Sequence, residues 1–167
     1  MKNPLKPLFA ACFVAFALFS CDSTESGSIK RPEAEKPQNQ FKKDGSLAIL
    51  DLSGDTVVSL EAEFADTDYE IQRGMMFRKE MGDLQGMLFF MPDEKIQSFW
   101  MKNCYLSLDM IFADSKGVIG SAQTYTEPYS LSSLPSEKPA KYVLEVKAGF
   151  WDKHNIQPGY KIVYSKN

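Results

Sequence analysis

From residue 46 onward, turn signals cut the chain into short stretches of alternating apolar and polar residues, and that spacing constrains it to a mainly β domain. "SLAILDL" and "TVVSLEAEFA" flank Ser53, Gly54 and Asp55, the pattern of two strands joined by a short hairpin loop. Asp66 can cap a short helix through "TDYEIQRGM"; "GMLFFM" then reads as a strand that Pro92 ends. "SFWMKN" and "LDMIFA" are further strands, and Asp114 to Gly117 turn the chain into "VIGSAQTYT". A loop from about Glu127 to Pro139 leads to "AKYVLEVKA", to a helical turn at "FWDKHN", and past Pro158 and Gly159 to a last strand, "YKIVYS". Residues 46–167 are thus expected to form one antiparallel sandwich or barrel, jelly-roll-like, with one or two short helices. The length suffices for a single core.

The segment before residue 46 has a different composition. Lys2 and Lys6 precede the apolar run "PLFAACFVAFALFS", a positive n-region and a short h-region. A bilayer span needs about 20 apolar residues, so residues 1–20 read as a secretory signal peptide. Its end, Leu18, Phe19, Ser20 and Cys21, resembles the lipobox of bacterial lipoproteins, in which the cysteine is lipidated and the chain is cut just before it. Palmitate-type acyl chains on Cys21 would anchor the protein to a membrane without spanning it, placing the domain in the cell envelope on the periplasmic side. Residues 21–45, rich in Ser, Glu, Lys and Pro, then read as a disordered tether. Removing residues 1–20 takes away two of 19 basic residues and none of the 22 acidic ones, moving the net charge from −3 to −5. That balance gives no footprint for nucleic acid.

The polar residues set among core-type neighbours are the candidates for chemistry. In "SFWMKN" a period of two places Phe99, Met101 and Asn103 on one face, with Trp100 and Lys102 on the other. A buried Asn103 must pair its amide, either with a neighbouring backbone or with a ligand. Trp100 and Met101 are candidates for a ligand groove, and Lys102 reads as a snorkelling surface charge. "LDMIFA" is apolar on both sides, so Asp109 needs an arginine, a lysine or several N–H groups to meet it. Arg78 is the candidate partner, because its planar fork can hold the carboxylate of Asp109 or of a ligand. Glu145 alternates with Lys141, Val143 and Lys147, which fits either a solvated strand face or a place in a cleft.

Cys104 has no disulfide partner once Cys12 leaves with the signal peptide and Cys21 carries the lipid, and it reads as a small buried hydrophobe. His154 has no second histidine or cysteine at ligand spacing, so neither a metal nor any other cofactor is expected. No glycine-rich phosphate loop, G-x-S-x-G elbow or H-E-x-x-H occurs.

The strings "RGMMFRKEMGDLQGMLFFM", "FWMKNCYLSLDMIFADSKGVI", "EPYS", "VLEVKAG" and "IQPGYKI" resemble, in order, the family known as domain of unknown function 192. Gly74, Met75, Met76 and Arg78 match its G-L-M-x-R element, and Gly86 to Phe89 match G-M-L-F. Its F-W-M-K-N-T element is matched through Asn103, with Cys104 replacing threonine; its P-L-D becomes Ser107, Leu108 and Asp109. Leu144, Glu145 and Gly149 match L-E-x-x-x-G. The resemblance implies a mainly β, sandwich-like or jelly-roll-like domain, often exported, with no established activity.

Two functions follow as expectations. One is an accessory envelope domain that binds a small molecule, sugar or peptide in an aromatic and polar groove, in keeping with 13% aromatic residues. The other is a hydrolase using Asp109 and Glu145 as an acid and base pair, with Arg78 and Asn103 holding the reacting group. A structural partner of another envelope protein is a third possibility.

Overall fold

A computed structural model of the protein describes residues 39–167. The signal peptide, Cys21 and the tether as far as residue 38 lie outside the described residues. Strands β1 (Gly45–Leu50) and β2 (Thr56–Ala65) form the expected hairpin, with Leu47 opposite Leu60 and Ile49 opposite Val58. The Asp51 carboxylate closes the turn by accepting from the N–H groups of Ser53 at 2.8 Å and Asp55 at 3.0 Å.

Helix α1 (Asp68–Arg73) starts from Thr67, not Asp66. The Thr67 hydroxyl accepts from the Glu70 N–H, and the Glu70 carboxylate accepts from the Thr67 N–H, a reciprocal cap. Asp66 instead meets the Lys166 ammonium at 2.7 Å. The crossover through α1 returns the chain to the same end of the sheet, so β3 (Gln85–Lys95) lies parallel to β2. Here the wholly antiparallel expectation gives way to a mixed sheet. Nor does Pro92 end β3: it falls in the irregular stretch between the pairs Phe90–Tyr142 and Lys95–Ala140, where no ladder hydrogen bond needs its missing N–H.

Beyond β3 the short strand β4 (Ser98–Phe99) pairs with β7 (Leu134–Pro135). Strands β5 (Leu108–Ala113), β6 (Ile119–Gln123) and β8 (Ala140–Lys147), helix α2 (Phe150–Lys153) and strand β9 (Lys161–Lys166) complete the order. The seven long strands run β6-β5-β8-β3-β2-β1-β9 across one sheet. Its two edges meet at a single bridge, Val118–Lys161, beside hydrogen bonds of 2.8 Å from Ile119 N to Tyr160 O and from Ile162 N to Gly117 O. The sheet therefore curls back on itself without closing as a barrel.

Both faces of the sheet are covered. One carries Leu47, Ile49, Leu60, Leu88, Ile111, Leu144 and Val146 beneath Phe150 of α2 and Ile156. The other carries Met87, Phe89, Met110, Phe112 and Val143, beneath Met75 from the α1–β3 connection and Met101 and Cys104 from the β4–β5 loop. Leu88 and Leu144 are fully buried in the first set; Phe89 and Val143 are fully buried in the second. Among the described residues no helix is long and apolar enough to cross a membrane.

Candidate functional site

The alternation that fills both faces also threads a polar row through the second one. Glu63 on β2 stands beside Met87 on β3, Met87 beside Glu145 on β8, and Glu145 beside Met110 on β5. Neighbouring strands lie about 4.8 Å apart, so the two carboxylates are two strand spacings from each other. Arg78, carried by the connection after α1, forms a 2.5 Å ion pair with Glu63 Oε2, and both side chains are almost wholly buried. Glu63 Oε1 accepts from the backbone N–H of Lys42.

Segment 40–44, read from sequence as the end of a tether, is tied to the domain at this point. Asp44 N donates to Ala62 O at 2.9 Å, and Asp44 Oδ2 accepts from Phe64 N at 3.2 Å. Between this segment, α1 and the end of β2 lies a cleft of about 300 Å³, whose lining includes Phe41, Glu63, Tyr69, Arg73, Arg78 and Met87. Gly74 completes the wall at the inner end. Its backbone (φ 47°, ψ −134°) occupies a region open essentially to glycine alone.

Glu145 lies next to this inner end and is 4% exposed. Burial pushes its carboxyl up to about 8, against a smaller downward pull from Arg78, and its Oε2 has no hydrogen-bond partner. Burial likewise raises Glu63, with Arg78 again opposing. The folded protein thus holds a proton on Glu145 that the unfolded chain, with the ordinary value of 4.5, releases at lower pH. Stability therefore falls as pH rises from about 4.5 to about 8, by at most about 1.4 kcal/mol per unit from this group. Glu145→Gln is expected to remove that part of the slope. Urea midpoints at pH 5 and pH 8 check it: the variant should gain on the wild type at pH 8, and parallel profiles would rule out burial-driven protonation.

Asp109 belongs to the opposite face. It pairs in register with Val146, one residue out of phase with Glu145, and is fully buried. Its Oδ1 accepts from Tyr125 N and its Oδ2 from Trp151 N, each at 2.9 Å. Two backbone N–H groups meet it, as the sequence allows, but Arg78 does not. The sheet itself separates Asp109 from Glu145, so the two cannot act as an acid and base on one substrate.

The other candidates also have definite places. "SFWMKN" leaves strand geometry after Phe99, and Asn103 adopts a left-handed conformation with φ 57°. Its carbonyl accepts from Phe77 N at 2.8 Å and its amide reaches Met76 Sδ at 3.9 Å, so it braces the loop after α1 and does not line the cleft. Met101 is wholly buried and Trp100 is half exposed under the Lys102 ammonium, 5.1 Å from the ring. Neither lines the cleft. Cys104 is buried as expected, its thiol pushed up to about 12 by burial and then by Glu145. His154 packs on Phe150 with ring centres 4.5 Å apart, and burial lowers its pKa, with Lys153 adding to the effect. Among the described residues no group of three or more His, Cys, Asp or Glu is placed to hold a metal ion.

Glu63, Arg73 and segment 40–44 are the site members that sequence reasoning missed. Glu63 falls in the polar phase of β2, where alternation predicts a solvent-facing side chain, and only the position of Arg78 shows otherwise.

These features define a mainly β domain with a buried carboxylate–guanidinium pair at the floor of a cleft, beneath a helical crossover. The chain belongs to the DUF192 family, described as an uncharacterized ACR, whose model matches residues 49–164. Two solved structures are similar to it. One, described as a candidate transcription regulator from Sinorhizobium meliloti 1021, shares 32% identity with a TM-score of 0.68, covering 72% of this chain and 92% of its own. The other, a protein of unknown function from Novosphingobium aromaticivorans DSM 12444, shares 31% identity with a TM-score of 0.66, covering 71% of this chain and 83% of its own. No curated protein matches.

Proposed function

We propose that the protein is a lipid-anchored domain of the bacterial cell envelope, held on the periplasmic side through Cys21, that binds a small ligand in the cleft above Glu63 and Arg78. The observation that carries the binding reading is the cleft itself. Its volume of about 300 Å³ is at the lower end for small-molecule sites, and apolar walls from Phe41, Phe64 and Met87 surround a few convergent charged groups. The separation of Asp109 from Glu145 by the sheet favours binding over hydrolysis by that pair. The role given to the Sinorhizobium meliloti protein is not proposed for this chain, whose net charge is acidic. The address rests on the signal-like run and the lipobox-like residues Leu18 to Cys21.

Thermal unfolding of the mature lipidated protein in detergent, in the presence of sugars, amino acids, peptides and envelope fragments, tests the binding reading. A ligand at 100 times its dissociation constant stabilises the folded state by about 2.7 kcal/mol, so one class should raise the melting temperature by several degrees. Silence across all classes would overturn it. Metabolic labelling with an acyl chain, expected to be lost in Cys21→Ala, tests the anchor.

A further inference from the structure

The cleft is lined by charged side chains of both signs, and the way they pair determines what charge a ligand can carry. Lys42 pairs with Asp44 at 2.6 Å. The Glu70 carboxylate serves the helix cap, accepting from Asp66 N, Thr67 N and Thr67 Oγ1. Arg73, by contrast, has no carboxylate partner among the described residues. Its guanidinium donates only to neutral oxygens, Tyr69 Oη at 3.3 Å and Asn39 Oδ1 at 2.6 Å, and lies 5.9 Å from the centre of the Phe77 ring.

Arg78 is a second and independent sign of an anion. It lines the same cleft, is 7% exposed and carries several N–H donors in a planar fork. Its Nη2 meets Glu63 Oε2, and among the described residues no second acceptor meets the guanidinium. Donors buried without an acceptor are costly, so this floor favours a polar group brought in from the cleft. Around it the walls are apolar, with Phe41 from the segment before β1, Ala65 at the end of β2 and Met87 on β3. A volume of about 300 Å³, at roughly 30 Å³ for one water, has room for about ten non-hydrogen atoms.

We propose that the cleft takes a small monocarboxylic acid with a compact apolar body, its carboxylate held between Arg73 and Arg78 and its body among Phe41, Ala65 and Met87. This rests on the binding reading given above. One uncompensated cation calls for one negative charge. A dianion such as a phosphate monoester brings more charge than the cleft answers, a cationic ligand is repelled by Arg73, and a neutral sugar leaves both guanidiniums unanswered. A carboxylate also matches the fork of a guanidinium with its two oxygens. Glu63 shares the floor, but Arg78 offsets its charge and burial moves it toward its protonated form.

Titration calorimetry at pH 7 on the mature lipidated protein in a non-ionic detergent tests this. Phenylacetate is the probe; phenylacetamide keeps its shape without the charge, acetate keeps the charge without the ring, and phenyl phosphate carries a second charge. Phenylacetate is expected to bind, and each of the others at least about tenfold more weakly, through loss of a charge-assisted contact, of the buried ring or of charge balance. Arg73→Gln breaks no ion pair among the described residues and should erase the preference for phenylacetate over phenylacetamide. The double variant Arg78→Met with Glu63→Met removes the floor donors without stranding a buried charge, and should reduce the same preference. Thermal unfolding verifies that both variants are folded. Equal binding of acid and amide, an unchanged preference in either folded variant, or tighter binding of phenyl phosphate overturns the assignment. If phenylacetate does not bind while another compound occupies the cleft, this inference fails and the binding reading stands; if nothing binds, both fail.

Discussion

Arg78→Met is expected to cost the folded domain about 3–5 kcal/mol, because it leaves Glu63 buried beneath the α1 connection with no countercharge. The loss would not come from the pair being strongly stabilising in itself. Desolvating a carboxylate and a guanidinium costs about as much as their attraction returns, and removing one partner exposes the whole desolvation penalty of the other. The double variant Arg78→Met with Glu63→Met is therefore expected to recover most of the loss, since two apolar side chains of suitable length can fill the same space. Urea unfolding of the two single variants, the double variant and the wild type gives the coupling energy directly. A loss below about 1 kcal/mol in Arg78→Met would mean that water reaches Glu63 freely. A stable double variant that no longer binds ligand would show that the charged pair serves the cleft and not the fold.

Asp109→Asn is expected to destabilise by about 2–4 kcal/mol, through a different arrangement. The wild-type carboxylate accepts one N–H on each oxygen, from Tyr125 and from Trp151, and so ties the loop after β6 and the start of α2 to strand β5. The amide keeps the shape but sets an NH₂ group against one of those N–H donors, leaving a buried donor unsatisfied and removing the charge from the other bond. Chemical denaturation measures the loss, and amide hydrogen exchange locates it: protection at Tyr125 and Trp151 should fall while that at Leu88 and Leu144 persists. Because Asp109 faces away from the cleft, ligand affinity of the folded variant should stay at the wild-type level. A fall in affinity without a fall in stability would restore Asp109 to a direct role.

The parts of this fold that were legible in the sequence are those set by local chemistry. The β1–β2 hairpin follows from Ser53, Gly54 and Asp55 between two alternating stretches, and the structure adds only the Asp51 side chain that closes it. The run from Leu108 to Ala113 reads as a strand buried on both faces, and it is. What the sequence hid depends on distant partners. An apolar strand such as Gly86 to Met91 has the same pattern whether its neighbour runs parallel or antiparallel, and only the path of the α1 crossover decides. "SFWMKN" alternates like a strand, yet it is held as a loop by Met101 N bonding to Ser130 O and by Asn103 O receiving Phe77 N. The candidate site was half visible. Arg78 was a candidate as the partner of a buried carboxylate, though of Asp109, and Glu145 fitted a solvated face as well as a cleft, whereas Glu63 sits where a solvent-facing acid belongs and is indistinguishable from Glu61 until the chain after α1 covers it.

The pairing of β1 between β2 and β9 has a consequence for the order in which the molecule can be completed. Gly45 lies opposite Lys166, so the first strand of the domain finds its second neighbour only among the last residues of the chain. While the polypeptide is being made, β1 and β2 can meet early through their short loop, but one flank of β1 stays without a partner until Lys161–Lys166 has emerged. Closing a loop of that length is entropically slow, and contacts so distant in sequence place the domain among slow folders. A growing chain therefore remains an unfinished sheet until Lys161–Lys166 can pair with β1.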